Sequence, residues 1–167
     1  MRKLIVIFTM LCFVSLRSEE DKGPRYWPLQ IGDMFFPRIE LALSEKEHQQ
    51  GLMWRETLDE EQGMLFARQE AQIMSFWMKN TLVPLDIIFL DQAGIIVKIW
   101  QMPVEEPQRH GESLNDYERR LPTYSSEKLA SFALELKAGI SNMLQLKPGD
   151  KINLEIEKLK KMLEKYK

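Results

Sequence analysis

The sequence predicts an α+β fold: a compact β-rich domain, an antiparallel sheet or small barrel, with short flanking helices and a C-terminal helix. Three observations carry this reading. Residues 39–43 alternate apolar with other residues at a period of two, as a half-buried strand does. TLVPLDIIFL (81–90) and IIVKIWQM (95–102) are β-branched and aromatic around the turn residues Asp91 to Gly94, so they form a hairpin with one nearly continuous apolar, central strand. Ile156, Leu159, Met162 and Leu163 recur at helical spacing among lysines.

The elements follow in order. Arg2 and Lys3 precede thirteen uncharged residues, Leu4 to Leu16, and then polar SEEDKG. A basic start before an apolar core of ~7–15 residues is the pattern of an export signal. A spanning helix usually needs ~20 such residues. Small residues are wanted at the −3 and −1 positions of a cleavage site. Ser18 would put Leu16 at −3, Ser15 would put Phe13 there, and Met10 and Leu11 are too bulky for a lipoprotein site at Cys12. Residues 1–18 are therefore a signal peptide or a short signal anchor, 19–28 a linker, and 29–167 a single domain. The expected location is outside the cytoplasm, periplasmic or in the cell envelope. Any membrane contact runs through the N-terminal segment.

Within the domain, Leu29–Ile31, a Gly32-Asp33 turn and Met34–Leu43 read as a hairpin, with Pro37 at a strand start or edge. Ser44 and Glu47 form a capping box for a helix that stops at Gly51. Thr57-Leu58-Asp59-Glu60 repeats the capping signal, Gly63 opens a strand, and Gln69 to Met74 read as a loop. SFWMKN (75–80) joins the central β-rich block. Residues 103–124 carry three prolines and read as a long loop, of the kind that is commonly functional or disordered. Ser125 or Ser126 caps a helix to about Phe132, ALELKAG returns to strand and turn, and Gly139 to Gln145 form a short helix. Lys147-Pro148-Gly149-Asp150 is a turn, and KINLEIE (151–157) alternates as a strand.

Four blocks, GLMWR (51–55), GMLF (63–66), FWMKNTLVPLDIIF (76–89) and ALEL-x-AG (133–139), occur in one order. In this the chain resembles the domain-of-unknown-function 192 family, also called uncharacterised protein family 0127, over about residues 35–156. The resemblance implies a compact β-rich domain, often behind a signal peptide, and no settled activity. The loop around 104–120 and the lysine-rich tail depart from the family's pattern.

The composition narrows the function. Of 167 residues, 44% are hydrophobic and 29% charged, and the formal net charge is −2. A field that weak does not recruit nucleic acid. Cys12 is the only cysteine, so the domain itself has no thiolate nucleophile, disulfide or Cys metal site. His48 and His110 are the only histidines, and no G-x-S-x-G or Gly-rich phosphate loop occurs. Met53, Met64, Met74, Met78 and Met102 could in principle hold Cu(I), but their apolar neighbours mark them as core fillers. No metal and no cofactor is expected.

The candidate ligand residues are Arg55, Trp77, Lys79, Asn80, Thr81 and Asp86. Trp77 and Lys79 share a strand face, an aromatic ring beside a cation, which suits a sugar or an anionic ligand. The alternative puts Trp77 in the core and sends Lys79 along its surface to solvent. Asp86, inside an apolar strand, needs a partner. Arg55, Lys79, Asn80 and Thr81 are its nearest donors in sequence, and a structural bridge to Arg55 or Lys79 is the first reading. Asn80 and Thr81 also suit a turn. The best functional reading is a small-ligand or saccharide binding or accessory module of the cell envelope. Two alternatives stand beside it: a hydrolytic enzyme using Asp86 with Glu135 or Glu40, and a structural or assembly protein without a pocket.

Overall fold

The computed structural model describes residues 25–166, so the expected signal and most of the linker lie outside the described residues. Among these residues six strands form one sheet: β1 (Tyr26–Ile31), β2 (Met34–Ala42), β3 (Gln62–Phe76), β4 (Leu85–Leu90), β5 (Ile96–Met102) and β6 (Tyr124–Lys137). The order is β1-β2-β3-β6-β4-β5. Only the β2–β3 pair is parallel. The fold is thus α+β and β-rich. No helix among the described residues is long and apolar enough to cross a membrane.

Both sheet faces are covered. On one, Leu41, Leu65, Leu134 and Ile88 pack with Ile152, Leu154, Leu159 and Leu163. On the other, Met64, Phe66, Ile87, Phe89 and Ala133 pack with Leu52, Leu58, Met74 and Met78. Burial on both faces explains why every residue of β4 is buried and why its sequence shows no alternation. Gly63 sits where strands crowd. A Cβ there would overlap the Glu135 carbonyl oxygen and approach Leu136 Cδ2 to 2.8 Å, so only glycine lets β3 lie this close to β6.

The first helix, α1 (Glu45–Gln50), keeps its capping box and stops at Gly51. Its cap is tied to the sheet, because Glu47 also accepts from the Leu43 N–H and pairs with Arg25. The long loop after β5 contains α2 (Leu114–Arg120), and α3 (Ile140–Met143) and α4 (Ile156–Leu163) follow β6.

Four readings of the sequence need correction. Residues 126–132 are strand, not helix, because the Ser126 hydroxyl accepts the Met74 N–H at 3.0 Å across the β3–β6 pair and so caps nothing. Gln69–Met74 are also strand, not loop. They lie on an outward β3–β6 ribbon whose polar exposed face hides the pairing. Residues 57–60 start no helix and lead directly into β3. In 151–157 the alternation is real, with Ile152 and Leu154 buried, but it makes only one bridge, Lys151 to Ile95, and no strand.

Candidate functional site

The β3–β6 pairing slips between Ala67 and Gln72 and again between Ile73 and Ser75. Such bulges bend a strand and raise its twist. The outer half of β3 stands away from the sheet opposite α1, and the space between is a cleft of about 540 Å³. That volume is in the range of small-ligand sites. One wall is α1 and the turn Gly51–Met53, the other Gln72–Phe76. Arg68 and Glu45, 3.2 Å apart, lie on its rim. Trp77, Lys79 and Thr81 also line it.

Glu135 lines the same cleft from β6. In one row across the sheet, Glu40, Met64, Glu135, Ile87 and Trp100 are neighbours on five strands. Glu135 is only 5% exposed, and no side chain or N–H among the described residues donates to its carboxyl. Burial alone pushes its pKa up to about 8, so the carboxyl is mostly protonated at neutral pH. It therefore offers one donor and remaining acceptor capacity.

His48 lines the cleft from α1. Its Nε2 lies 2.9 Å from the Ala42 carbonyl, which can only accept, so Nε2 carries the proton. Nδ1 is then a bare acceptor, buried and without a hydrogen-bond partner among the described residues; the Glu45 carboxylate is 4.0 Å away. Burial lowers the His48 pKa, against a smaller opposing effect of the Ala42 carbonyl.

The six residues singled out from sequence separate into groups. Trp77, 37% exposed, and Lys79 do not share a strand face as expected, because β3 ends at Phe76 and Lys79 lies in a turn. They stay together all the same, with the ammonium 5.3 Å from the ring centre. Lys79 also pairs with Glu118 of α2. The Thr81 hydroxyl donates to the Lys79 carbonyl at 3.2 Å. Asn80 adopts a left-handed backbone, and its N–H donates to the hydroxyl oxygen of the buried Tyr117 of α2 at 3.1 Å. The long loop thus braces the cleft lip through Tyr117 and Glu118.

Arg55 and Asp86 lie elsewhere. Arg55 holds Glu40 through two bonds of 2.6 Å, Nη1 to Oε1 and Nη2 to Oε2, a bidentate pair that ties the 51–55 turn to β2. The expected bridge from Asp86 to Arg55 or Lys79 does not form. Asp86 sits fully buried on the face opposite Glu135, and its Oδ2 accepts the Gly139 and Ser141 N–H groups at 3.0 and 2.8 Å. It caps α3 from a distant strand. A carboxylate pair of Asp86 with Glu135 or Glu40 is likewise ruled out, because consecutive sheet rows point to opposite faces: Asp86 pairs with Leu136, Glu135 with Ile87.

Sequence reasoning reached Glu135 only as a partner for Asp86. Its signal was the same, a carboxylate inside an apolar strand block, and that signal alone would have found it.

The family model for DUF192, described as "Uncharacterized ACR", matches residues 30–154. Among curated proteins none matches this chain. Two crystal structures are similar. One is a Sinorhizobium meliloti 1021 protein provisionally described as a transcription regulator, 28% identical with a TM-score of 0.60, over 75% of this chain and 89% of that one. The other is a protein of unknown function from Novosphingobium aromaticivorans DSM 12444, 29% identical with a TM-score of 0.62, over 78% and 92%.

Proposed function

This chain belongs to the DUF192 family, and from that premise we propose that it is an exported small-ligand binding module of the cell envelope whose cleft seats a saccharide. The observation that carries the reading is Glu135. No protein group among the described residues bonds the Glu135 carboxyl, yet its oxygens are not sealed off: the buried side-chain atoms without a partner are Arg25 Nε, His48 Nδ1, Asp86 Oδ1 and Ser131 Oγ, so the Glu135 carboxyl opens to the cleft. Its partner therefore comes through the cleft, as a ligand hydroxyl or amide, or as the water such a group displaces. Gln49, Gln50 and Gln72 add amides that can both donate and accept, and Trp77 supplies an apolar face. Polar groups converging beside an aromatic surface suit a neutral polyhydroxylated ligand. A hydrolase built on Asp86 finds no support, since Asp86 faces away from this cleft. Export rests on residues 2–16 of the sequence.

Calorimetric titration with a panel of defined hexose and N-acetylhexosamine oligosaccharides tests the binding. The wild type is expected to bind at least one of them. Trp77→Ala should weaken that sugar about tenfold, and Glu135→Leu should do so by at least as much. Silence of the wild type across the panel, or unchanged affinity in both variants, would refute the assignment. For export, residues 1–25 fused to a reporter should carry it out of the cytoplasm, and retention inside would count against that half of the proposal.

A further inference from the structure

Trp54 is held where the fold gains little from a tryptophan. Its φ is +65°, a left-handed conformation that bulky side chains seldom adopt. A strained backbone persists when something else fixes it. Here the Trp54 N–H donates to the Asn80 carbonyl at 2.8 Å, and Asn80 is itself left-handed, at φ +53°. The bond fixes the backbone and does not require the indole. Yet the side chain is 66% exposed, the most exposed large hydrophobic residue among those described. Glycine or asparagine would accept this backbone more readily, and neither would leave a large apolar surface in water.

The position of this ring is informative. Met53, one residue before, lines the cleft, and so do Lys79 and Thr81 on either side of Asn80. The Trp54–Asn80 bond therefore sits at the lip that carries Trp77, while Trp54 itself lies outside the cleft lining. Of the aromatic residues that line the cleft, Phe76 packs against Phe66 and Phe89 while Trp77 is exposed, and Trp54 adds a second exposed indole beside the lining. On the saccharide reading, a ligand confined to the cleft would meet Trp77, and only one long enough to extend past the Met53–Trp54 lip would reach Trp54. Rigid aromatic faces provide contact area at low entropic cost, because few torsions must be fixed.

We propose that Trp54 is an outer binding platform and that the ligand is accordingly a linear oligosaccharide rather than a single sugar. This rests on the saccharide reading of the cleft and adds its length. The left-handed backbone at 54 gives the test a readout that a structural role would not produce.

Trp54→Asn should leave the full-length protein at least as stable to heat as the wild type, because asparagine tolerates this φ. Titration with a hexasaccharide and with the disaccharide of the same sugar then separates the two levels of the argument. The expected result is about a tenfold loss of hexasaccharide affinity in Trp54→Asn with disaccharide affinity unchanged, while Trp77→Ala weakens both. Equal effects on both lengths, or none on either, would overturn the outer platform and leave the cleft reading intact. A clear fall in melting temperature without a length-dependent loss would make Trp54 a packing residue and would also overturn it. A wild type that binds neither length removes the saccharide reading, and the platform with it.

Discussion

From pH 5 to pH 8 the wild-type domain is expected to lose stability relative to Glu135→Gln, which keeps the size of the side chain and cannot ionise. The sign follows from the raised pKa. Folding lifts the Glu135 carboxyl from 4.5 to about 8, so between those values the native state holds a proton that the unfolded chain has released. Stability then falls as pH rises, and the full contribution is present only below the unfolded pKa. A span of about 3.5 pH units at roughly 1.4 kcal/mol each sets an upper limit near 5 kcal/mol. Water entering the cleft lowers it. Even half that value is a large part of a domain's ~5–15 kcal/mol margin. His48 acts in the opposite sense, because its lowered pKa removes stability as pH falls below 6.5. The difference between wild type and Glu135→Gln cancels the histidine, and the interval from 6.5 to 8 is largely free of it. Denaturant melts of both proteins at several pH values measure the difference. Parallel curves across that interval would mean that the Glu135 carboxyl is solvated.

Removing the Asp86 carboxyl should be the most damaging single truncation of a polar group. In Asp86→Ala the Gly139 and Ser141 N–H groups lose their acceptor, and the Ser141 N–H is buried. Two lost bonds with a stranded donor cost roughly 2–4 kcal/mol. Asp86→Asn keeps one acceptor oxygen and should cost less, on the order of 1–2 kcal/mol. Its new amide group must occupy the place of Oδ1, which is buried and has no hydrogen-bond partner among the described residues. A double-mutant cycle of Asp86→Ala with Arg55→Ala or Lys79→Ala should give coupling near zero, as distant groups without shared partners do. Coupling of about 1 kcal/mol belongs instead to Arg55 with Glu40, since that pair is bidentate. A measured Asp86–Arg55 coupling of that size would contradict the assignment of Asp86 as the α3 cap.

Elements whose cause is local could be read from the chain. The capping box at Ser44 and Glu47, the stop at Gly51 and the turn at Lys147–Asp150 are fixed by a few neighbouring residues, and each forms. The β4–β5 hairpin was legible because both strands lack helical periodicity and flank an Asp-to-Gly turn. Misreadings arose where a distant partner decides. Ser126 carries a helix-cap side chain, but the Met74 N–H claims its oxygen from 52 residues away. Ile152 and Leu154 alternate correctly, yet the segment makes only one bridge, from Lys151 to Ile95 just before β5, instead of a ladder. The candidate site divided in the same way. Trp77, Lys79 and Thr81 lie close together in sequence and line one cleft. Asp86 and Arg55 find acceptors or donors on elements that the linear sequence does not bring near them.

The buried, neutral and ligand-facing state of Glu135 is the central claim, and its carboxyl carbon reports on it directly. Protein carrying ¹³C-labelled glutamate, compared with Glu135→Gln to assign the resonance, can be titrated by NMR with and without the oligosaccharide. The expected result is titration near pH 8 in the free protein, far above the other glutamates, and a displaced Glu135 resonance when the saccharide is added. A Glu135 carboxyl that titrates in the ordinary carboxylate range and ignores every saccharide would contradict both its burial and its role in the cleft.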